Sequence, residues 1–275
     1  KKRPLLALIN KIQDKYLLSI KYRRIWIRFI KLFIPFYYDS NHTKNVELLQ
    51  NNGFVVLNPI KKDIIHEIKK IAETNYLIDP WNIKNGCFLK KDRPLNVTTA
   101  FLKNPAMFPE IQSLALNHDS LRLAASYFNC KCVIDSVDVW WSFPTDNVPF
   151  EAEKFHRDRD SSEFLKWFVY LTDVNKFNGP HEYALDSLNS KHFTKGSRYE
   201  DDSIYEFFST KKFLGCEGTN FLENTYGLHR GYKPQEGERL LFQVRYSIHG
   251  SSFRYREEKL KRLFIDDALR FSYIN

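Results

Sequence analysis

Residues 132–143 read CVIDSVDVWWSF. β-branched and aromatic side chains dominate this run, which suits a buried pleated strand and disfavours a helix. Three later runs share the character, at 165–171, 218–222 and 239–246. Upstream the pattern differs. A short strand is expected at 53–57 (GFVVL), followed by a helix over 61–74. Helical spacing continues over 105–128, around Ile111, Leu114, Leu121 and Ala125. Helices first and short strands afterwards predict a β-sandwich or barrel with helices packed outside. With 275 residues and 43% hydrophobic content, one large domain can bury its own core. Ten glycines are too few for a collagen-like, linker-like or solenoid chain.

The formal charge of +9 is unevenly placed. Residues 1–38 hold ten Lys and Arg and one acid, Asp14. Taking these from 42 bases and 33 acids leaves 32 of each in 39–275, so the body is neutral. No nucleic-acid-binding surface is expected, because the excess forms an arm and not a patch on the body. The chain is expected to divide into a basic amphipathic segment at 1–38 and a main domain at 39–275. A helix is expected over 15–34, stopped by Pro35. Lys21, Arg24, Arg28 and Lys31 fall on one stripe and Tyr22, Ile25, Trp26, Phe29 and Phe33 on another. Such a helix either lies in an anionic membrane interface or packs its apolar face on the body with its charges in water. No run of 18 apolar residues exists, and no secretory signal is apparent. A cytoplasmic location is expected, peripheral on the inner face of a membrane if the helix is interfacial. Cys87, Cys130, Cys132 and Cys216 lack metal-site spacing and are expected to be buried free thiols.

The chemistry is carried by FHRDRD at 155–160. In an extended chain, residues i and i+2 share a face, so His156 and Asp158 point one way and Arg157 the other. An imidazole and a carboxylate there are two thirds of the two-His, one-carboxylate set that leaves open positions on Fe(II). The third ligand belongs on a later strand, and GTNFLENTYGLHRGYKPQEGER at 218–239 supplies His229. Ten residues on, Arg239 opens the next strand, and its planar fork suits a carboxylate. Arg245 competes for that role. Six residues put the two arginines about 20 Å apart at strand rise, so they cannot share one anion.

Two blocks, FHRDRDSSEFLKWFVYLTDVNKFNGPHEYALDSLNSKH and GLHRGYKPQEGERLLFQVRYS, resemble the bacterial members of the phytanoyl-CoA dioxygenase family of Fe(II)/2-oxoglutarate oxygenases. The likeness covers about residues 45–250. It implies a double-stranded β-helix, a jelly-roll or cupin-like core, with iron on His156, Asp158 and His229. It implies 2-oxoglutarate on Arg239, O2 as oxidant, and hydroxylation of a C–H bond as the default reaction. Halogenation is disfavoured, since Asp158 keeps the carboxylate ligand. Family members carry a Pro-Gly-Ser-His turn where this chain reads ALDSLNSKH at 184–192, so the substrate-facing loop departs from the pattern.

Further expectations concern the pocket. Phe164, Lys166, Phe168, Tyr170 and Thr172 share a face, so Lys166 and Thr172 are expected to help hold the cosubstrate. Arg245, Trp140 and His192 are the substrate candidates. Trp140 and Trp141 lie on opposite faces, one in the core and one in the pocket. His181 is expected to be structural or substrate-lining, and His118 and His249 to have no chemical part. The basic segment points to a membrane-associated glycan or glycolipid sugar as substrate. The alternatives are a soluble small-molecule hydroxylase and a non-catalytic barrel with a basic arm for membrane or nucleic acid.

Overall fold

The computed structural model describes residues 20–194 and 198–248, with two short strands at Phe264–Ile265 and Leu269–Arg270. Residues 15–19 of the expected helix, the Lys21 side chain and His249 lie outside the described residues.

The first half is helical. It contains α1 (Ile20–Lys31), α2 (Thr43–Asn52), α3 (Lys62–Thr74), α4 (Pro109–Ala115) and α5 (His118–Phe128). The short strands β1 (Phe54–Leu57), β2 (Leu77–Ile78), β3 (Cys87–Phe88) and β4 (Thr99–Leu102) are interspersed. The helix expected over 105–128 is two, because the Asn117 side chain accepts from Ser120 N at 3.0 Å and starts α5 afresh. The second half supplies β5 (Val133–Ser142), β6 (Phe164–Tyr170), β7 (His181–Ala184), α6 (Asp201–Phe207), β8 (Thr210–Phe213), β9 (Asn220–Glu223), β10 (His229–Gly231) and β11 (Arg239–Ser247).

Among the described residues, β1-β9-β6-β11-β5-β4-β2-β3 form one antiparallel sheet and β10-β7-β8 a smaller one. Alternation along the central strands sorts the side chains. Leu165, Trp167 and Val169 of β6, with Leu240, Phe242 and Val244 of β11, join the helices in the main core. Phe168, Tyr170 and Leu241 face the other way and meet Tyr183 and Phe213 of the smaller sheet. Both faces of the large sheet are therefore covered, and β6 and β11 are buried throughout. This is the expected jelly-roll arrangement: two facing sheets with helices outside one of them. Lys166, Gln243, Arg239 and Arg245 take the inner face by the same alternation.

The N-terminal helix does not pack its aromatic stripe on the body, one of its two expected placements. Ile27, Ile30 and Ile34 pack on the core. Arg23 Nε donates to Ser162 O at 2.8 Å, and Lys31 pairs with Glu163 at 2.6 Å. Tyr22, Ile25, Phe29 and Phe33 are exposed. The cysteines also depart from expectation: all four are free, but only Cys130 and Cys132 are buried.

Tyr183 stands between Gly53 and Gly227, and a Cβ at either glycine would overlap its phenol. Gly227 lies two residues before His229. Gly227→Ala should therefore cost about 1–3 kcal/mol through overpacking and displace β10. A lowered denaturation midpoint with weakened metal binding is expected; an unchanged midpoint would show that Tyr183 yields freely.

Candidate metal centre

His156 and His229 are direct cross-strand partners, each N–H donating to the other's carbonyl at 3.0 Å. Paired residues of antiparallel strands project on one side, and the imidazole centroids lie 4.4 Å apart. Asp158 follows two residues after His156, with its N–H on Thr225 O at 2.9 Å, so its carboxylate swings to the same side. Ligand atoms of His156, Asp158 and His229 lie within 4.8 Å of one another. Each imidazole is oriented from behind by the carbonyl two residues earlier: His156 Nδ1 bonds Lys154 O at 2.8 Å and His229 Nδ1 bonds Gly227 O at 3.0 Å. That directs both Nε2 atoms toward Asp158, at 3.5 and 3.3 Å. Backbone bonds that fix the tautomer are the usual support of metal-binding histidines. Arg157 points away and donates to the carbonyls of Phe193, Ser187 and Tyr226, clamping the surrounding loops.

Charge near the site is arranged in a row. Lys166 Nζ lies 2.5 Å from Asp158 and 3.0 Å from Asp160. Asp160 pairs in turn with Arg245 at 2.6 Å, and Arg245 with Asp135. Burial would raise the Asp158 carboxyl, but Lys166 and His229 outweigh it and hold it well below the usual carboxylate range. Burial and neighbouring His229 push His156 down to about 4, so it is neutral at pH 7. His229 is raised despite burial, because Asp158 faces it. Two imidazoles and an ionised carboxylate, all buried or half-buried, are a donor set suited to a divalent iron.

The three residues open on a cavity of about 480 Å³ that also receives Lys166, His181 and Arg239. Arg239 is buried; it donates to Gly179 O and, at 3.1 Å, to Ser142 Oγ. Its Nε has no partner, and no carboxylate forms an ion pair with it among the described residues. Gly231 lies alongside, where a Cβ would come within 3.2 Å of the guanidinium. A buried, underused guanidinium fits a carboxylate ligand. Trp140 lines the cavity as expected and stacks on Phe101 at 5.2 Å, while Trp141 is in the core.

Three expectations are corrected. Arg245 is fully buried in its carboxylate pairs and does not reach the cavity, so it cannot touch substrate. Thr172 lies beyond β6, which ends at Tyr170; alternation no longer holds, and its hydroxyl accepts from Leu240 N at 3.1 Å. His192 is exposed and rests on Phe207, outside the cavity. Lys166 lines the cavity as expected, with its ammonium on Asp158 and Asp160.

Sequence reasoning missed Glu223. It is fully buried opposite Lys166 in the sheet register, and its Oε2 lies 2.8 Å from His181 Nε2 without hydrogen-bond alignment. Burial pushes its carboxyl up to about 8. The available signal was an acid ending the apolar run NFLE, on the same face as Phe221. His118 begins α5 and His181 lies 5.5 Å, ring to ring, from His229.

No protein-family model and no curated protein matches the chain. Solved structures do. The non-haem α-ketoglutarate-dependent carbocyclase SnoK of nogalamycin biosynthesis matches with TM-score 0.55 and 15% identity, over 74% of this chain and 83% of its own. HygX from Streptomyces hygroscopicus, with nickel and 2-oxoglutarate bound, matches with TM-score 0.54 and 17% identity, over 85% and 96%. EctD from S. alaskensis matches with TM-score 0.53 and 15% identity, over 78% and 80%. The chain has the fold of these proteins.

His156→Ala, Asp158→Ala and His229→Ala should each weaken Fe(II) binding by more than about 100-fold, beyond the 10–100-fold typical of outer-sphere changes. Binding in wild type should also weaken as pH falls. Metal must displace a proton from His229, whose affinity for it is raised above the ordinary 6.5, so the decline begins above that pH. Anaerobic titration checks both; undiminished binding by any variant removes that residue from the ligand set. In contrast, Arg245→Met should cost about 3–5 kcal/mol by removing the buried cation that Asp135 and Asp160 share, seen in denaturant unfolding.

Proposed function

We propose that this chain is an iron(II)- and 2-oxoglutarate-dependent oxygenase that oxidises a C–H bond of a small molecule, with hydroxylation as the ordinary outcome. The carrying observation is that a two-His, one-Asp set and a buried guanidinium without a carboxylate partner open on one cavity. His156, Asp158 and His229 would hold the iron, and Arg239 the distal carboxylate of 2-oxoglutarate. When bound, iron and cosubstrate supply the oxidising power, coupling O2 reduction and release of CO2 and succinate to oxidation of the substrate.

The chain's own residues prepare that site. Three protein ligands leave coordination positions for cosubstrate and O2. Lys166 keeps Asp158 ionised and aimed, and the backbone carbonyls of Lys154 and Gly227 keep both imidazoles turned inward. The Arg239 fork receives a carboxylate through two parallel hydrogen bonds. Burial of the ligands excludes water from the reacting centre.

The cavity wall supports a cyclic, hydroxylated substrate. Phe101 and Trp140 present a stacked apolar face, their planes 10° apart. Asp138, two residues before Trp140, and Gln243 beside it add hydrogen-bonding groups to the same cavity. A glycan sugar belongs to this class. Support also comes from the solved neighbours, since HygX was crystallised with hygromycin B and SnoN with nogalamycin RO. Within the superfamily, the two sequence blocks around His156 and His229 support a place beside the phytanoyl-CoA dioxygenases.

Anaerobic addition of Fe(II) and 2-oxoglutarate should produce a metal-to-ligand charge-transfer band in the visible. Aerobic turnover should release succinate, stimulated by the right member of a panel of sugars, nucleotide sugars and other cyclic metabolites. Arg239→Lys should raise the 2-oxoglutarate KM by about ten-fold or more while leaving Fe(II) affinity nearly unchanged, because charge survives and the fork does not. Absence of the band with bound iron would remove 2-oxoglutarate from this reading.

A further inference from the structure

An ordinary surface helix buries its apolar side and leaves its charges in water. α1 spends part of its basic side on the body instead: Arg23 on Ser162 O and over the Tyr226 ring at 3.6 Å, and Lys31 on Glu163. The large apolar side chains of Tyr22, Ile25, Phe29, Leu32, Phe33 and Phe36 are left in solvent, Leu32 and Phe33 to 79% and 75%. They are a preorganised row, with Phe29 stacked on Trp26 at 5.8 Å and edge-on to Phe33 at 5.4 Å. Apolar patches of this kind on a folded surface mark interaction sites.

Charge identifies the occupant. Arg24, which also donates to Asn189 Oδ1 at 2.9 Å, and Arg28 are exposed beside the row, and no acid occurs between Asp14 and Asp39. Residues 1–19 carry five bases and one acid, so covering the row with that segment would bring like charges together. A second copy of the chain would oppose its own arginines in the same way. The surface calls for an apolar layer beneath a negative one. No described helix is long and apolar enough to cross a membrane.

We propose that the outer face of α1, continued through Phe36, is a peripheral docking surface for an anionic lipid bilayer. Phe29, Leu32, Phe33 and Phe36 enter the headgroup–acyl boundary, and Arg24 and Arg28 engage lipid phosphates. The helix lies in the plane of the interface while Arg23 and Lys31 hold it to the body. This assignment does not depend on the oxygenase reading.

The test is co-sedimentation of the full chain with phosphatidylcholine vesicles and with vesicles containing phosphatidylglycerol. At about 0.1 M salt, wild type should partition about ten-fold or more in favour of the anionic vesicles. At about 1 M salt, where the Debye length has shrunk to about 3 Å, a fraction should stay bound through the apolar row. Phe29→Ser with Phe33→Ser should abolish that salt-resistant fraction, and Arg24→Gln with Arg28→Gln the preference for anionic lipid. All four side chains are exposed, so unchanged unfolding midpoints should accompany both losses. Wild type that ignores anionic vesicles, or a Phe29/Phe33 variant that binds like wild type, would overturn the assignment. So would a wild-type dimer by light scattering that the Phe29/Phe33 variant dissolves, since a second copy would then cover the face.

Discussion

The row of alternating charge from Asp158 through Lys166, Asp160 and Arg245 to Asp135 is the constraint around which the inner face of the large sheet is built. Its members come from β5, β6, β11 and the loop after Asp158, so it ties three strands and the metal-binding segment into one electrostatic unit. Buried charges are tolerable only when paired, and removal of one partner leaves its neighbour uncompensated. Ser247 adds a hydroxyl to Asp135 at 2.9 Å at the far end. The near end is where the row becomes functional: Lys166 reaches the carboxylate that also faces both imidazoles. The orientation of Asp158 is thereby set by the barrel interior, though it sits on an irregular segment after a single bridge pair.

The helices act on the site indirectly. They cover the outer face of the large sheet, which lets β6 and β11 be apolar on that side and reserves the other side for charge and aromatics. The smaller sheet contributes precision. His229 pairs with Tyr183 on one side and His156 on the other, so the two imidazoles inherit cross-strand registry. Tyr183 fills the space that Gly53 and Gly227 leave open and donates to Asn224 O at 3.4 Å, which couples β7 to the residue before β1 and to the turn before His229.

The sequence made the long strands and the candidate metal-ligand set legible because both depend on local spacing. A His-x-Asp in extended chain, a His after a turn and an Arg opening a strand need only the two-residue period to be placed. What failed needed tertiary knowledge. Arg239 and Arg245 share a face, and nothing local says that Asp135 and Asp160 await the second. Thr172 followed the alternation one step past the end of β6. His192 sits in the loop where the familial pattern was already missing. The two- to four-residue strands β2, β3, β7, β8 and β10 carry too few residues to show a period. For α1, the helical spacing was readable but its sense of docking was not, because Ser162 and Glu163, which hold its cations, lie more than 130 residues away.

Charge balance gives the last link between architecture and cosubstrate. The row holds three carboxylates and two cations and so carries one net negative charge, while Glu223, raised to about 8, stays mostly neutral at pH 7. Arg239 adds one positive charge, and Fe(II) would add two. Glu153 also lines the cavity and acts on Arg239, offsetting part of that positive charge. A further cavity carboxylate is Asp138, partly engaged by Ser136 and by Gln243 at 3.1 Å. It stands beside the stacked Phe101–Trp140 face, where hydroxyl donors of a bound ring would meet it. Under the proposed function, the charged ladder would serve the cosubstrate side of the cavity, and the aromatic wall with Asp138 the substrate side.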